Sequence, residues 1–252
     1  MNIQEKSYIF GLLGTDGNLC LQDRNRGKIT LEVNSKDRDI CEKLFKIIPN
    51  SKISERTRNT NFKDNYTSTV FANHQLAIRQ ELIDFGYPIK DKTNLISIPI
   101  QEYSEKDFWR GVIDGDGSLG FISDGSPFLS LVTKSESLKN EYCNFLFKHF
   151  GIEKNINRNK RDNVYNITLK NEDAIMVTHF LYDDNVISLD RKNQKAQEMF
   201  NWVRTKPKAP ARKRWTPEED KFILEHSIEE SMTALKRTEK SIKTRLYRLH
   251  TK

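Results

Sequence analysis

Two aspartates that lie 100 positions apart, Asp16 and Asp116, follow nearly the same local sequence. The segments YIFGLLGTDG and FWRGVIDGDG are both apolar, both end in Asp-Gly, and both carry a central glycine, Gly11 or Gly111. A repeat of this kind indicates two copies of one structural unit. A pseudo-twofold axis between the copies would bring the two carboxylates together.

Both segments are expected to be helices. Glycine in the middle of a helix costs roughly 1 kcal/mol, and this cost is explained if Gly11 and Gly111 allow the two helix backbones to touch. Gly17 and Gly117 are placed to end each helix in the left-handed conformation. Asp16 and Asp116 then lie at negative helix ends and repel each other. A hard divalent cation such as magnesium would offset both penalties, and such a site suits phosphodiester hydrolysis.

The repeat continues past these helices in the order helix, two strands, helix, two strands, helix. The predicted strands are 19–24, 28–34, 52–58 and 65–72 in the first copy and 119–123, 128–133, 154–161 and 164–170 in the second. The predicted further helices are 36–48, 74–85, 135–150 and 172–182. Turn signals such as Asn25-Arg26-Gly27 separate the strands.

The net charge of +7 belongs to the C-terminal fifth of the chain, because residues 201–252 hold 14 Lys and Arg against 7 Asp and Glu. This asymmetry favours a polyanion partner, nucleic acid first. The segment TKPKAPARKR, residues 205–214, is a basic linker. Beyond it, Thr216 is expected to cap a helix over 218–226 in a capping box with Glu219. Further helices at 231–236 and 239–250 complete a helix-turn-helix pattern.

Composition excludes several classes of protein. No apolar run approaches the roughly 20 residues of a membrane span, and the N-terminus lacks the features of a secretion signal. The three cysteines, Cys20, Cys41 and Cys143, form no CxxC pair, which favours free thiols in a reducing compartment. We therefore expect an intracellular protein, in the cytoplasm, nucleoid or an organelle matrix.

The two Asp-Gly segments resemble the paired motifs of a single-chain LAGLIDADG homing endonuclease, and the resemblance covers about residues 5–203. It implies an α+β fold of two pseudo-symmetric αββαββα halves with antiparallel, saddle-shaped sheets. It also implies that Asp16 and Asp116 are the catalytic, metal-binding residues, with the backbone carbonyls of Thr15 and Gly115 as possible further ligands of Mg²⁺ or Mn²⁺.

The resemblance implies a monomer that cuts double-stranded DNA at a long, non-palindromic site. The corresponding domains are 1–103, 104–204, the linker 205–214 and a helix-turn-helix domain 215–252. The last of these resembles Myb/SANT-like domains through RWTPEED and the basic helix KSIKTRLYRLH. The first motif departs from the family pattern at Gly14, where the second has Asp114.

In this family a basic residue from each half lies near the cleaved phosphates. Lys92 and Lys192 match this role because each follows its own aspartate by 76 residues, although Arg191 competes with Lys192 and both lysines could be plain surface charges. Ser35 and Lys134 are loosely aligned candidates for positioning water.

The cations of the strands and of the C-terminal domain are candidate DNA contacts through guanine edges or phosphates. From the first half they are Arg24, Arg26, Lys28, Arg56 and Arg58, and from the second half Arg158, Lys160 and Arg161. From the linker and the C-terminal domain they are Arg212, Lys213, Arg214, Lys240, Lys243, Thr244, Arg245, Tyr247 and Arg248.

Two other functions remain open from the sequence. The same fold could serve an intron RNA maturase or a DNA-binding regulator that does not cut, and the C-terminal domain could lead a plain transcription factor. A turn is the ordinary role of a single Asp-Gly pair, so the nuclease interpretation depends on the matched pair of motifs.

Overall fold

The chain divides into two units, Met1–Arg204 and Thr205–Lys252. Its structure is a computed structural model. The described residues are 1–59, 65–183, 186–204 and 214–250. Within the larger unit we call residues 1–103 the first segment and residues 104–204 the second segment. No helix in the described part of the chain has the length and apolarity to cross a membrane.

In its described residues, 1–59 and 65–103, the first segment combines four helices with one antiparallel sheet. The helices are α1 (Ile3–Thr15), α2 (Arg38–Ile47), α3 (Leu76–Asp84) and α4 (Lys92–Leu95), and a 3-10 turn spans Ser35–Asp37. The strands are β1 (Gly17–Leu21), β2 (Gly27–Asn34), β3 (Lys52–Arg58) and β4 (Tyr66–Asn73). They are arranged in the order β1-β2-β4-β3. Alternating residues such as Leu31 and Phe71, which pair across β2 and β4, are fully buried in the core.

The part of the second segment that the structure describes has four helices and a three-stranded antiparallel sheet. The helices are α5 (Glu105–Asp116), α6 (Glu136–Phe150), α7 (Glu172–Tyr182) and α8 (Asp190–Phe200). The strands are β5 (Gly117–Phe121), β6 (Pro127–Thr133) and β7 (Tyr165–Lys170), in the order β5-β6-β7. The helix expected over 172–182 is confirmed, whereas α8 has no counterpart among the predicted elements.

The strand predicted over 154–161 is wrong, because residues 151–164 form no strand. This stretch, GIEKNINRNKRDNV, is rich in Asn and charged side chains, which are disfavoured in sheets and favour turns. A turn forms at its end, where Asn163 adopts a left-handed φ of 55° and the Asn159 amide donates to the Val164 carbonyl at 2.7 Å.

Helices α1 and α5 pack against each other through their central glycines. A Cβ placed on Gly11 would lie 2.3 Å from the Phe108 carbonyl oxygen, and one on Gly111 would lie 2.2 Å from the Tyr8 carbonyl oxygen. No side chain can occupy either position without moving the opposite backbone. The expected close contact between the two helices is therefore confirmed.

The left-handed helix ends expected at Gly17 and Gly117 are wrong. Gly17 begins β1 directly after the cap residue Asp16, and Gly117 is extended, with φ −87° and ψ 166°. Both glycines are required by space, because a Cβ would lie 2.7 Å from the Leu13 oxygen or 2.6 Å from the Ile113 oxygen. Each helix therefore passes straight into a strand.

The smaller unit contains three helices among its described residues. They are α9 (Pro217–Glu225), α10 (Ile228–Leu235) and α11 (Glu239–His250). The capping box of Thr216 and Glu219 is confirmed, and Ser227 forms a second one with Glu230. This second capping box starts α10 three residues earlier than the sequence predicted, because the Ser227 side chain satisfies the exposed N–H of Glu230.

We expect Gly11→Ala to lower the free energy of unfolding by about 2 kcal/mol or more, since the added methyl group meets opposing backbone. Gly14→Ala in the same helix is the matched control. Its Cβ would meet only the side chain of Ile96, at 2.7 Å, which can shift, and the gain in helix propensity is also about 1 kcal/mol. Urea unfolding of both variants measures the difference, and equal stabilities would contradict the role given to the glycine contact.

Candidate active site

The C-terminal ends of α1 and α5 converge, which places Asp16 beside the end of α5. A Cβ built on Gly115 would lie 1.9 Å from the Thr15 hydroxyl oxygen and 3.6 Å from the Asp16 carboxyl carbon. Asp16 is the residue that caps α1, and Asp116 is the last residue of α5. The glycine before Asp116 thus makes room for the residues that end α1.

The two carboxyl groups lie in an unfavourable electrostatic environment. Desolvation by the surrounding protein, and then the charge of Asp16, raise the pKa of Asp116 to about 6. Desolvation also raises the pKa of Asp16, while the charges of Lys192 and Lys92 oppose the shift. Both side chains nevertheless keep contact with solvent, so an ion or a polyanion can reach them from outside.

The donor set fits a hard divalent cation that takes its remaining ligands from elsewhere. Within the described ranges, no three His, Cys, Asp or Glu side chains cluster in a way that could hold a metal ion. Asp16 and Asp116 offer two carboxylates that repel each other. Magnesium is commonly held by one or two carboxylates together with water and substrate phosphates.

Lys92 and Lys192 occupy equivalent positions at the ends of α1 and α5. The Lys92 ammonium donates to the carbonyl oxygens of Thr15 and Gly17, both at 2.5 Å. The Lys192 ammonium donates to the carbonyl oxygens of Ile113 at 2.6 Å and Gly117 at 2.8 Å. Each lysine satisfies carbonyl groups that the helix itself leaves without partners.

Burial shifts the pKa of both lysines downward, and the neighbouring acids oppose the shift. Burial lowers the pKa of Lys92 against the charges of Asp116 and Asp16, and it lowers the pKa of Lys192 to about 8 against the charge of Asp114. Lys192 is only 4% exposed. Its ammonium is therefore committed to the backbone at the end of α5.

The carbonyls suggested as further metal ligands already accept hydrogen bonds from the lysines. The Thr15 oxygen accepts from Lys92, and the Gly115 oxygen accepts a longer bond from Lys192 at 3.5 Å. A carbonyl oxygen has two lone pairs, so each retains capacity for a second partner. The lysines and the carboxylates thus share one small polar region.

Arg191 lies near the acids but points elsewhere. Its guanidinium donates to both carboxylate oxygens of Asp37, at 2.7 and 3.1 Å, and so links the second segment to the first. Its positive charge also opposes the rise that desolvation causes in the pKa of Asp16. Of the residues suggested for positioning water, the Ser35 hydroxyl donates to the Thr67 carbonyl at 2.7 Å, and the Lys134 carbonyl accepts from Arg158.

The first sheet presents an exposed polar face opposite its core face. The register places Lys28, Arg56 and Arg58 on the face opposite Leu31 and Phe71, and all three are exposed. Arg58 pairs with Glu32 at 3.0 Å and Arg56 with the same acid at 3.8 Å. Arg24 and Arg26 lie at the exposed turn between β1 and β2.

The second sheet differs, because its predicted cations are not on a strand. The Arg158 guanidinium lies over the Tyr165 ring at 4.8 Å, and Arg161 pairs with Asp162 at 2.8 Å. Lys160 is exposed in the same stretch. The face of this sheet away from the core carries mostly uncharged side chains, namely Ser118, Phe128, Ser130, Val132, Asn166 and Thr168, with the exposed Lys170 at the end of β7.

One exposed stripe of α11 holds most of the C-terminal candidates. Lys240, Lys243, Thr244, Tyr247 and Arg248 follow helical spacing and are exposed. Arg245 instead donates to both oxygens of Asp220, at 2.6 and 2.5 Å, beside Trp215. The Arg214 carbonyl accepts from Arg237, while Arg212 and Lys213 lie outside the described residues.

Among the buried charged residues of the described structure, Asp114, Arg110 and Arg79 were given no role by the sequence analysis. Asp114 accepts three hydrogen bonds in the core, and Arg110 donates to the carbonyls of Leu181 and Ile187. Arg79 donates to three backbone carbonyl groups, one in the turn between β1 and β2 and one at the first residue of β2. These acceptors are Asn25, Gly27 and His74. The partners are distant in the sequence, so only the mismatch between Gly14 and Asp114 offered a signal.

Comparison with known proteins connects this geometry to one family. Residues 104–188, which begin at the cap of α5, match a family described as a LAGLIDADG-like domain. No curated protein matches the chain in sequence. The homing endonuclease I-WcaI, in a structure bound to its DNA recognition sequence, aligns with a TM-score of 0.55 and 16% identity, over 77% of this chain and 86% of that one.

Two structures of I-DmoI align in the same way. The complex with DNA and Ca has a TM-score of 0.53 and 13% identity over 79% of this chain and all of that one. A variant with nicked target DNA in the presence of Mn has a TM-score of 0.51 and 14% identity, over 74% of this chain and 100% of that one. The chain shares the fold of the LAGLIDADG homing endonucleases. At these identities the likeness shows the fold alone.

We expect Asp116→Asn to raise the melting temperature at pH 7 in the absence of divalent cations. An unfolded aspartate loses its proton near pH 4, whereas Asp116 in the folded chain keeps it to about pH 6, so its ionisation destabilises the fold as the pH rises through this window. At pH 3.5 the Asp116 carboxyl is largely protonated in both the folded and the unfolded chain, so the wild type and the variant should melt alike. Differential scanning calorimetry at the two pH values tests this, and a variant that melts lower at pH 7 would contradict it.

Proposed function

We propose that the chain is a metal-dependent DNA endonuclease that cuts both strands of a specific site. The observation that carries the proposal is the pair of solvent-accessible carboxylates, Asp16 and Asp116, held beside each other at two helix ends despite their mutual repulsion. A protein gains nothing from this arrangement unless a cation offsets it. The fold shared with homing endonucleases whose structures contain DNA supports the same function.

In this proposal Asp16 and Asp116 hold the cation, Mg²⁺ or Mn²⁺, and the cation contacts the scissile phosphate of the DNA. When bound, the cation would polarise the scissile phosphate and favour attack by water. Lys92 and Lys192 hold the helix ends that carry the acids and lower the negative potential there. Because their ammonium groups donate hydrogen bonds to backbone carbonyls, we propose that the two lysines position the helix ends of the site. More exposed cations would contact the phosphates of the DNA.

The two sheets would bind the DNA on either side of this centre. The cations of the first sheet suit phosphates and guanine edges, and the hydroxyl and amide groups of the second sheet suit base edges. These two surfaces differ in chemistry, so the two halves of the bound site would differ in sequence. We therefore propose a non-palindromic target and a monomer in which the two segments act as pseudo-symmetric halves.

The smaller unit would act as a helix-turn-helix module of the Myb/SANT-like type. Its support is the exposed basic stripe of α11, together with the Trp215 side of that helix, where Lys236, Lys240 and Arg248 line a common groove. Joining two DNA-binding modules raises affinity through effective concentration. The domain limits 1–103, 104–204, 205–214 and 215–252 belong to this proposal.

Nicking of supercoiled plasmid DNA that carries the target tests the nuclease function. Candidate targets come from selecting a random duplex library for binding. We expect cleavage with Mg²⁺ or Mn²⁺, none with EDTA, and a loss of at least about 100-fold in Asp116→Asn with DNA binding retained. Glu136→Gln, in the first turn of α6, is a control that should cut normally. Binding without cleavage by the wild-type chain would favour a regulator, and stimulation of intron splicing would favour a maturase.

The contribution of the C-terminal unit is tested by the salt dependence of binding. Lys240→Gln and Arg248→Gln should each weaken binding to the duplex and lower the slope of log K against log salt concentration by about 1, as expected for the loss of one phosphate contact. Lys221→Gln, an exposed lysine of α9, is the matched control and should leave the slope unchanged. Fluorescence anisotropy between about 50 and 200 mM salt measures all three. Equal slopes in every variant would exclude α11 from the interface.

A further inference from the structure

A buried carboxylate connects α5 to the start of α8. Asp114 Oδ2 accepts hydrogen bonds from the Tyr8 hydroxyl at 2.7 Å and the Leu189 amide at 2.8 Å, and its Oδ1 accepts from the Tyr182 hydroxyl at 2.7 Å. Asp114 is 3% exposed and both tyrosines are fully buried. A buried carboxylate with three donors is fixed in one orientation, because each unsatisfied partner would be costly.

The bond to Leu189 has a specific consequence for α8. Leu189 is the residue that caps this helix, and its own side chain makes no capping hydrogen bond. Asp114 supplies a hydrogen-bond acceptor to the backbone N–H of Leu189 from a different helix, which fixes this N-terminal end. Three residues later, Lys192 donates back to the carbonyls of Ile113 and Gly117 at the end of α5. The two helices therefore fix each other at both points.

The first segment lacks this arrangement. Gly14 stands at the position equivalent to Asp114, and the side chain of Ile96 fills the space beside it. Lys92 belongs to the four-residue helix α4, whose cap residue Asp91 makes no side-chain capping bond. The carbonyl of Leu13 instead accepts from the Tyr87 hydroxyl at 2.8 Å. The two lysines thus reach equivalent carbonyls through different supports.

We propose that Asp114, together with Tyr182, is a positioning residue for the α5 side of the proposed site: it fixes the start of α8 and thereby holds Lys192 against the end of α5 beside Asp116. The inference rests on the proposed nuclease function. Tyr182 lies in the second segment, whereas Tyr8, another partner of Asp114, belongs to α1. The loss of the Tyr182 hydroxyl should therefore slow the cutting of the strand that depends on Lys192 and leave the other strand nearly unchanged.

Strand-resolved cleavage tests the proposal. A duplex carrying the selected target is labelled with a different dye on each strand, and Lys92→Met and Lys192→Met calibrate which strand depends on which lysine. We expect Tyr182→Phe to slow the cutting of the Lys192-dependent strand about tenfold, as for the loss of a buried hydrogen bond, and that of the other strand less than about twofold. Tyr142→Phe is the matched control.

Tyr142 is a suitable control because it is also fully buried in the second segment, yet its hydroxyl makes no hydrogen bond within the described structure. The control should cut both strands like wild type. Equal slowing of both strands by Tyr182→Phe, or the same strand bias in Tyr142→Phe, would overturn the proposal. Failure of the wild-type chain to cut any DNA would count against the proposed function and is recorded separately.

A second measurement does not need cleavage. In the full-length chain without DNA, hydrogen exchange of the peptide covering 187–193 should speed up at least about tenfold in Asp114→Leu, which removes both acceptor oxygens and with them all three hydrogen bonds. Asp114→Asn should restore slow exchange, because its carbonyl can serve Tyr8 and Leu189 while its amide donates to Tyr182. If Asp114→Leu does not fold, Tyr182→Phe takes its place. Unchanged exchange in the folded variant overturns the positioning role.

Discussion

The backbone contact between α1 and α5 is the constraint on which the rest of the larger unit depends. Because neither Gly11 nor Gly111 can carry a side chain, the two helices approach closely enough to place Thr15 against Gly115. This approach puts two negative helix ends and two carboxylates into one small region. Lys92 and Lys192 offset part of this negative charge at the helix ends. The charge of the two solvent-accessible carboxylates is not fully compensated within the larger unit.

The two segments support the same pair of helix ends with different interactions. In the first segment Phe10 makes edge contacts with Phe85 and Tyr87, at centroid distances of 5.3 and 6.0 Å. At the position of Phe10 the second segment has Arg110, which bonds to backbone carbonyls. Apolar packing tolerates small shifts, whereas a buried charge with directional bonds favours one arrangement. Conformational freedom is therefore expected to differ between the two ends of the site.

The sequence was sufficient for the features that depend on local pattern. The paired glycines, the aspartates at helix ends and the capping box at Thr216 follow from residue type and spacing, and the structure has all of them. The sequence was insufficient for features that depend on contacts between residues far apart in the chain. Spacing alone could not show that Lys192 turns toward backbone carbonyls, nor that Asp114 meets a tyrosine 106 positions away. The strand expected at 154–161 failed because a periodic pattern was assumed from its counterpart in the first segment.

The buried guanidinium of Arg79 limits how this protein can be redesigned. Its terminal nitrogens donate to the carbonyl oxygens of Asn25, in the turn between β1 and β2, and of Gly27, at the start of β2 at 3.0 Å, while its buried Nε has no hydrogen-bond partner among the described residues. A turn of another length at this place would remove the Asn25 and Gly27 carbonyl acceptors of Arg79. Its guanidinium charge would then be buried without enough hydrogen-bond partners and without water. Changes of sequence preference at this end of the sheet are thus confined to exchanging side chains, such as Arg24 and Arg26, on a main chain that must keep its shape.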